Sequence, residues 1–293
     1  MTQPSISLEF FPPSGPKGED RFWDVIDRLA VLKPKFVSVT YGAGGTTQDR
    51  SDRIVRRLQS ETELKPAAHL TCVGATREDV DSIARAWWEA GIRHIVALRG
   101  DPAEGAESYV PHPGGYANAA ELVAGLRQVA DFEVSVGAYP EKHPQSPSVA
   151  ADLDNLKRKL DAGAARAITQ FFFEPEAFLR FRDKAVRSGI TAPLVPGILP
   201  VVNFARVIEI AEICETAVPD WMHQLFEGLD EDPETRAMVS ASITTDLCNR
   251  LRAEGVDHFH FYPLNRAPLT NAICRRLMTD DGIDDGYGSR EAA

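Results

Sequence analysis

The chain has 293 residues, 43% of them hydrophobic, which supplies apolar material for one large core and makes a single domain the expected arrangement. Its 43 acidic residues outnumber 32 Lys and Arg, and the net charge of -11 argues against nucleic acid or an anionic membrane as partner. The N-terminal MTQPSIS lacks the basic and hydrophobic character of a signal sequence, and no apolar run approaches the roughly 20 residues needed to span a bilayer, so a soluble cytoplasmic protein is expected.

In chain order, ISLEFF reads as a first strand with Ile6, Leu8 and Phe10 on one face and Ser7, Glu9 and Phe11 on the other. Asp20 to Leu32 places Phe22, Val25, Ile26 and Leu29 at helical spacing, and Lys33-Pro34 stops it. The cycle repeats with a strand at 35–41, a helix at 47–60, a strand at 66–73, a helix at 76–90 capped by Gly91, and a strand at 93–99. A second half follows: helix 117–130, strand 132–139, helix 148–162, strand 165–173 and helix 175–188, with Gly163 and Gly189 as stops. Pro193, Pro196 and Pro200 each remove a backbone donor, so the seventh strand is expected to be short and irregular. A helix at 203–215 and extra helical material at 219–254 precede the last strand, 257–262. Eight strands alternating with helices predict an α/β fold, a single (β/α)8 TIM-type barrel over 1–278 with extra helical material between strands 7 and 8. The acidic segment 279–293 is expected to be a disordered tail.

Six of the apolar runs turn polar toward their C-terminal ends, and in each the polar residues share one parity: Ser7 and Glu9, Ser38 and Thr40, His69 and Thr71, Arg99 and Asp101, Ser135 and Tyr139, and Gln170. In a parallel barrel the catalytic groups gather at these strand ends. Glu9 would be a carboxyl in an apolar setting, and burial would raise its pKa and suit it to donate a proton; a structural carboxylate paired with an Arg is the other reading. Arg99, Gly100 and Asp101 could bind a cofactor ring or close an ion pair at the rim. TYGAGGTT matches no phosphate-loop spacing and reads as a rim loop. Asp152, Asn155, Arg158 and Lys159 are placed along one side of a helix, where the two cations could meet a pyrophosphate or simply be solvated. His258 and His260 have no third ligand at a recognisable spacing, so no metal is expected. Cys72, Cys214, Cys248 and Cys274 are far apart and read as reduced and buried.

The strings SLEFFPP, PKFVSVTYGAGG, HLTC, GIRHIVALRGDP, AYPEKHP, NLKRKLDAGA, AITQFFF, PGILP and FHFYPLNRA together resemble the methylenetetrahydrofolate reductases in their short bacterial form, over residues 5 to 277. The resemblance implies a barrel holding FAD at the strand C-terminal ends. It implies reduction of 5,10-methylenetetrahydrofolate to 5-methyltetrahydrofolate by NADH or NADPH, in ping-pong order, for methionine synthesis. It also implies a homo-oligomer, and no C-terminal regulatory domain that would answer to S-adenosylmethionine. Carried onto matching positions, Glu9 resembles the general acid that opens the methylene-bridged ring, and Asp101 the aspartate beside flavin and pterin. Thr40, Tyr41, Ala43, His69, Arg99, Gly100, Asp101, Ala117, Tyr139, His143, Asp152, Asn155, Arg158 and Lys159 match FAD contacts. Ser146 stands in a flavin loop where the family has a small apolar residue. Glu9, Thr40, Asp101, Gln170 and Arg266 match substrate contacts, and Arg206 replaces an expected folate-contacting glutamine. The reading from a different class is a non-redox, pterin-binding barrel that transfers a one-carbon group without flavin; a third is a barrel that only binds or stores a ligand.

Overall fold

The structure, a computed structural model, describes residues 3–41, 45–102 and 109–279. Eight parallel strands, β1 (Ser5–Phe10), β2 (Val37–Val39), β3 (Pro66–Thr71), β4 (His94–Leu98), β5 (Glu133–Ala138), β6 (Arg166–Phe171), β7 (Leu194–Ile198) and β8 (His258–Phe261), pair in sequence order and close into a barrel. Closure is made by β1 against β8, where Ser5 is opposite His258 and Ser7 opposite His260. Helices α1 (Gly15–Ala30), α2 (Gly45–Glu61), α3 (Arg77–Glu89), α4 (Ala119–Val129), α5 (Val149–Asp161) and α6 (Pro175–Arg187) follow the first six strands. The expected insertion is three helices, α7 (Phe204–Cys214), α8 (Asp220–Phe226) and α9 (Pro233–Ala253), and α10 (Ala267–Thr279) follows β8. Ala43 and residues 280–293 of the expected tail lie outside the described residues; Thr279, assigned to that tail, is the last residue of α10. Among the described residues no helix is long and apolar enough to cross a membrane.

Strand parity decides what is inside. Ile6, Leu8 and Phe10 of β1 join Phe22, Ile26 and Leu29 of α1 in the large cluster between barrel and helices, each such fully buried side chain contributing about 1.5–3 kcal/mol. The opposite parity fills the barrel, where Phe36, Ala67, Val96, Ile168 and Val195 form a separate apolar plug. Helix α1 begins at Gly15, five residues before the expected start, because Pro16 fits a first turn whose N–H needs no partner.

Three expectations about parity are corrected. In β4 the inward residues are His94, Val96 and Leu98, while Ile95 and Ala97 face the helices, so Arg99 and Asp101 do not continue the inner face. They stand past the strand, where Gly100 turns the chain with φ +88°, ending the extended alternation. Phe11 does not face the axis either: it lies past β1, half exposed, its backbone bonded in both directions to the Asn265 side chain. Of the four residues expected along one side of α5, Asp152, Asn155 and Lys159 line one cleft and Arg158 is not among its lining residues.

The proline-rich seventh strand is a true strand with a register shift against β6 between Ile168 and Phe171, as its irregular composition predicts. There Gly197 N–H donates to Thr169 Oγ1 at 2.9 Å instead of to a ladder carbonyl.

Candidate active site

Glu9 sits near the C-terminal end of β1 with 18% of its side chain exposed, enough to meet a ligand from the mouth. Ser38 Oγ donates to Glu9 Oε2 at 3.0 Å, and His260 Nε2 lies 3.4 Å from the same oxygen. His69 Nε2 is 3.0 Å away but is not aimed for a directed hydrogen bond. Burial alone pushes the Glu9 carboxyl up, but His69 and His260 together outweigh it and hold the group well below the usual carboxylate range. The expected rise is therefore overturned: the sequence showed a carboxyl in an apolar barrel, not the two histidines that fold against it from β3 and β8. Nor is its partner an Arg.

His260 continues a polar chain down the axis. Its Nδ1 is 2.7 Å from Ser7 Oγ, which is 3.1 Å from His258 Nε2. These two histidines are spoken for by a serine, and among the described residues no group of three His, Cys, Asp or Glu is placed to hold a metal.

A second part of the site is a cleft beside β5 and α5, lined by Tyr139, His143, Asp152, Asn155 and Lys159, among others. Ser148 caps α5 by accepting from Ala151 N at 3.1 Å, which fixes the turn that presents Asp152. Asp152 Oδ2 accepts from His143 N at 2.9 Å, and the His143 ring lies edge-on to Tyr139. Lys159 is buried and donates from Nζ to Gly137 O; burial, with Arg99 adding to it against Asp152, lowers its pKa to about 8. Arg99 reaches over the Tyr109 ring and donates to Gln145 Oε1 and Gly100 O. Ser146 closes the 143–148 loop by donating from Oγ to Ser148 O.

The two parts meet at one mouth. Burial, then Cys214, Asp101 and Asp152, push the Tyr139 phenol up to about 12. Burial, then Glu9, Tyr139 and Cys214, push Tyr262 well above the ordinary phenol range. Glu9, near the C-terminal end of β1, and Asp101, past the C-terminal end of β4, lie at the same end of the parallel barrel. Gln170, on β6, holds its amide against Cys214.

The remaining predicted residues make contacts of their own. Thr40 is at the end of β2, donating its backbone N–H to Phe10 O. Tyr41 turns toward the helices and packs edge-on against Trp87. Ala117 precedes the Asn118 cap of α4 and donates its N–H to Glu121. Arg206 is exposed and paired with Glu209 at 2.5 Å, and Arg266 is exposed after β8. Sequence reasoning missed Tyr262, whose parity with His258 and His260 was a usable signal. It also missed Cys214, which is half-buried and not buried as expected, and which nothing in the chain connects to Gln170 across 44 residues.

Comparison with known proteins bears on what this arrangement does. The family described as Methylenetetrahydrofolate reductase matches residues 1–278. The chain is 54% identical over 274 residues to the 5,10-methylenetetrahydrofolate reductase of Pectobacterium carotovorum subsp. carotovorum, covering 93% of this chain and 90% of that protein. It is 51% identical over 281 residues to the protein of the same name from Escherichia coli (strain K12), covering 96% and 93%. Among solved structures it resembles an uncharacterized protein from Clostridium thermocellum that binds two copies of 5-methyl-5,6,7,8-tetrahydrofolic acid. The TM-score there is 0.62 at 12% identity over 94% of each chain, a likeness of fold.

Proposed function

Because the chain belongs to the methylenetetrahydrofolate reductase family, we propose that it reduces 5,10-methylenetetrahydrofolate to 5-methyltetrahydrofolate with electrons from NADH or NADPH carried by bound FAD, in ping-pong order. The observation that carries this reading is Glu9 held at the C-terminal end of β1 by Ser38 and His260, with the cleft lined by Tyr139, His143, Asp152, Asn155 and Lys159 at the C-terminal end of β5.

The residues present suit a flavin. His69 Nε2 is a buried nitrogen without a directed partner. Gly100 leaves no room for a side chain, since a Cβ there would lie 2.4 Å from Val73 Cγ1, and so it keeps the Arg99–Asp101 backbone close to the rim. Lys159, Asn155 and Asp152 would hold the polar chain of the cofactor, and Tyr139, His143, Arg99 and Asp101 its ring end. When bound, FAD supplies hydride acceptance and donation.

The remaining chemistry falls to the chain's own groups. Opening the methylene bridge requires a proton at the folate nitrogen, and Glu9 is the carboxyl at the mouth. His69 and His260 hold Glu9 below the usual carboxylate range, so acting as the acid requires Glu9 to take up a proton once the folate is seated. Glu9, His260, Ser7 and His258 form a polar chain along the axis that holds the carboxyl in place. Asp101 places negative charge where the ring-opened folate cation forms.

The deciding experiment is spectroscopic. The purified protein is expected to absorb at about 450 nm and to bleach anaerobically with NADH. Glu9→Gln is expected to retain that bleaching and lose folate reduction; equal loss of both half-reactions would remove Glu9 from the acid role. Colourless, FAD-free protein that still binds folate would favour the non-redox barrel.

A further inference from the structure

The Gln170 carboxamide is held at both ends. Its Oε1 accepts from the Phe171 backbone N–H at 3.0 Å, and its Nε2 donates to Cys214 Sγ at 3.3 Å. A backbone N–H can only donate, so Phe171 identifies the oxygen end, and the end facing sulfur is the nitrogen. Cys214 is the last residue of α7 and reaches this strand from the inserted helices. Burial first, and then the charge of Asp101, push its thiol up, so the sulfur is a neutral acceptor at neutral pH.

Resting on the functional reading above, we propose that Cys214 is a positioning residue: it fixes which way the Gln170 amide faces and thereby tunes recognition of both substrates. With one N–H given to sulfur and one lone pair given to Phe171, the amide keeps one N–H, which faces the Tyr139 hydroxyl and would pass to a bound ligand, and one lone pair. A ligand edge carrying an adjacent acceptor and donor fits that pair. The lactam of a pterin and the carboxamide of a nicotinamide both present such an edge, so one held amide can serve two substrates in turn. The thiol lies on the far side of the carboxamide from the incoming ligand in this scheme, and acts through Gln170 alone.

The test is a double-mutant cycle on kcat/KM for methylenetetrahydrofolate, with wild-type turnover measured first. Cys214→Ala is expected to lower kcat/KM about 5-fold, the effect of one ordinary hydrogen bond. In a Gln170→Ala background the same substitution is expected to change it less than about 1.5-fold, because there is no amide left to orient. Cys214→Ser, which keeps an acceptor, is expected to recover part of the loss. Equal losses in both backgrounds, or no loss from Cys214→Ala, overturn the inference. Absent wild-type turnover overturns the functional reading and the inference with it, whereas normal turnover with additive losses overturns the inference alone.

Discussion

Gly197→Ala tests how β7 shapes the mouth. A Cβ at position 197 would lie 2.1 Å from Thr169 O, 2.6 Å from Tyr262 Cε2 and 2.9 Å from Tyr262 Oη. An ordinary contact begins at 3.4 Å, so about 1.3 Å of separation is needed from a backbone carbonyl that β6 holds in place. The tyrosine is no freer, because its hydroxyl donates to that same Thr169 carbonyl at 2.8 Å. Overpacking of this kind costs about 1–3 kcal/mol, and losing the Tyr262 bond adds about 1 kcal/mol. A total of about 3 kcal/mol predicts a fall in Tm of about 6–12 °C for a chain of this size. The assay is thermal unfolding by circular dichroism, with Gly18→Ala as control. Gly18 is in α1, where the nearest atom to a new Cβ is Pro13 Cβ at 3.8 Å, and Ala there is expected to be neutral or to stabilise by about 0.5–1 kcal/mol. A Gly197→Ala protein melting within about 2 °C of wild type would refute the close approach of β6, β7 and Tyr262.

Lys159 predicts a pH dependence. Its folded pKa of about 8 lies below the ordinary 10.5, so between these values the unfolded chain binds more protons, and Lys159 makes stability rise with pH across that window. The difference in melting between wild type and Lys159→Met, followed from pH 7 to 11, should show this rise; a flat difference would contradict the burial. Ser148→Ala removes the α5 cap and is expected to cost about 1 kcal/mol, read as a Tm about 2–4 °C lower. Unchanged melting would mean that the cap is not formed. Iodoacetamide on the native protein is expected to label Cys214 and to spare Cys72, Cys248 and Cys274, which are buried; peptide mass mapping that finds equal labelling of all four would refute the packing around them.

Much of the fold was legible because a barrel strand advertises its two faces. In β1 and β8 the apolar residues Ile6, Leu8, Phe259 and Phe261 alternate with Ser7, Glu9, His258 and His260, and the structure sends each set where its parity points. At Arg99 and Asp101 the parity points away from the inner face, because the inward residues of β4 are His94, Val96 and Leu98, and Gly100 then ends the extended alternation. On α5, Asp152, Asn155 and Lys159 line the cleft and Arg158 is not among its lining residues.

By itself the sequence determined the number and order of the strands, the location of the inserted helices and the placing of Glu9 on an inward face, since these follow from local periodicity and from turn and cap residues. Only the tertiary structure decided the charge state of that carboxyl, the company of Gln170 and Cys214, and the packing of Tyr262 on His260 and Thr169. Those depend on which side chains closure of the barrel brings within a few ångströms, and residues 44 or 251 positions apart leave no periodic trace of their contact.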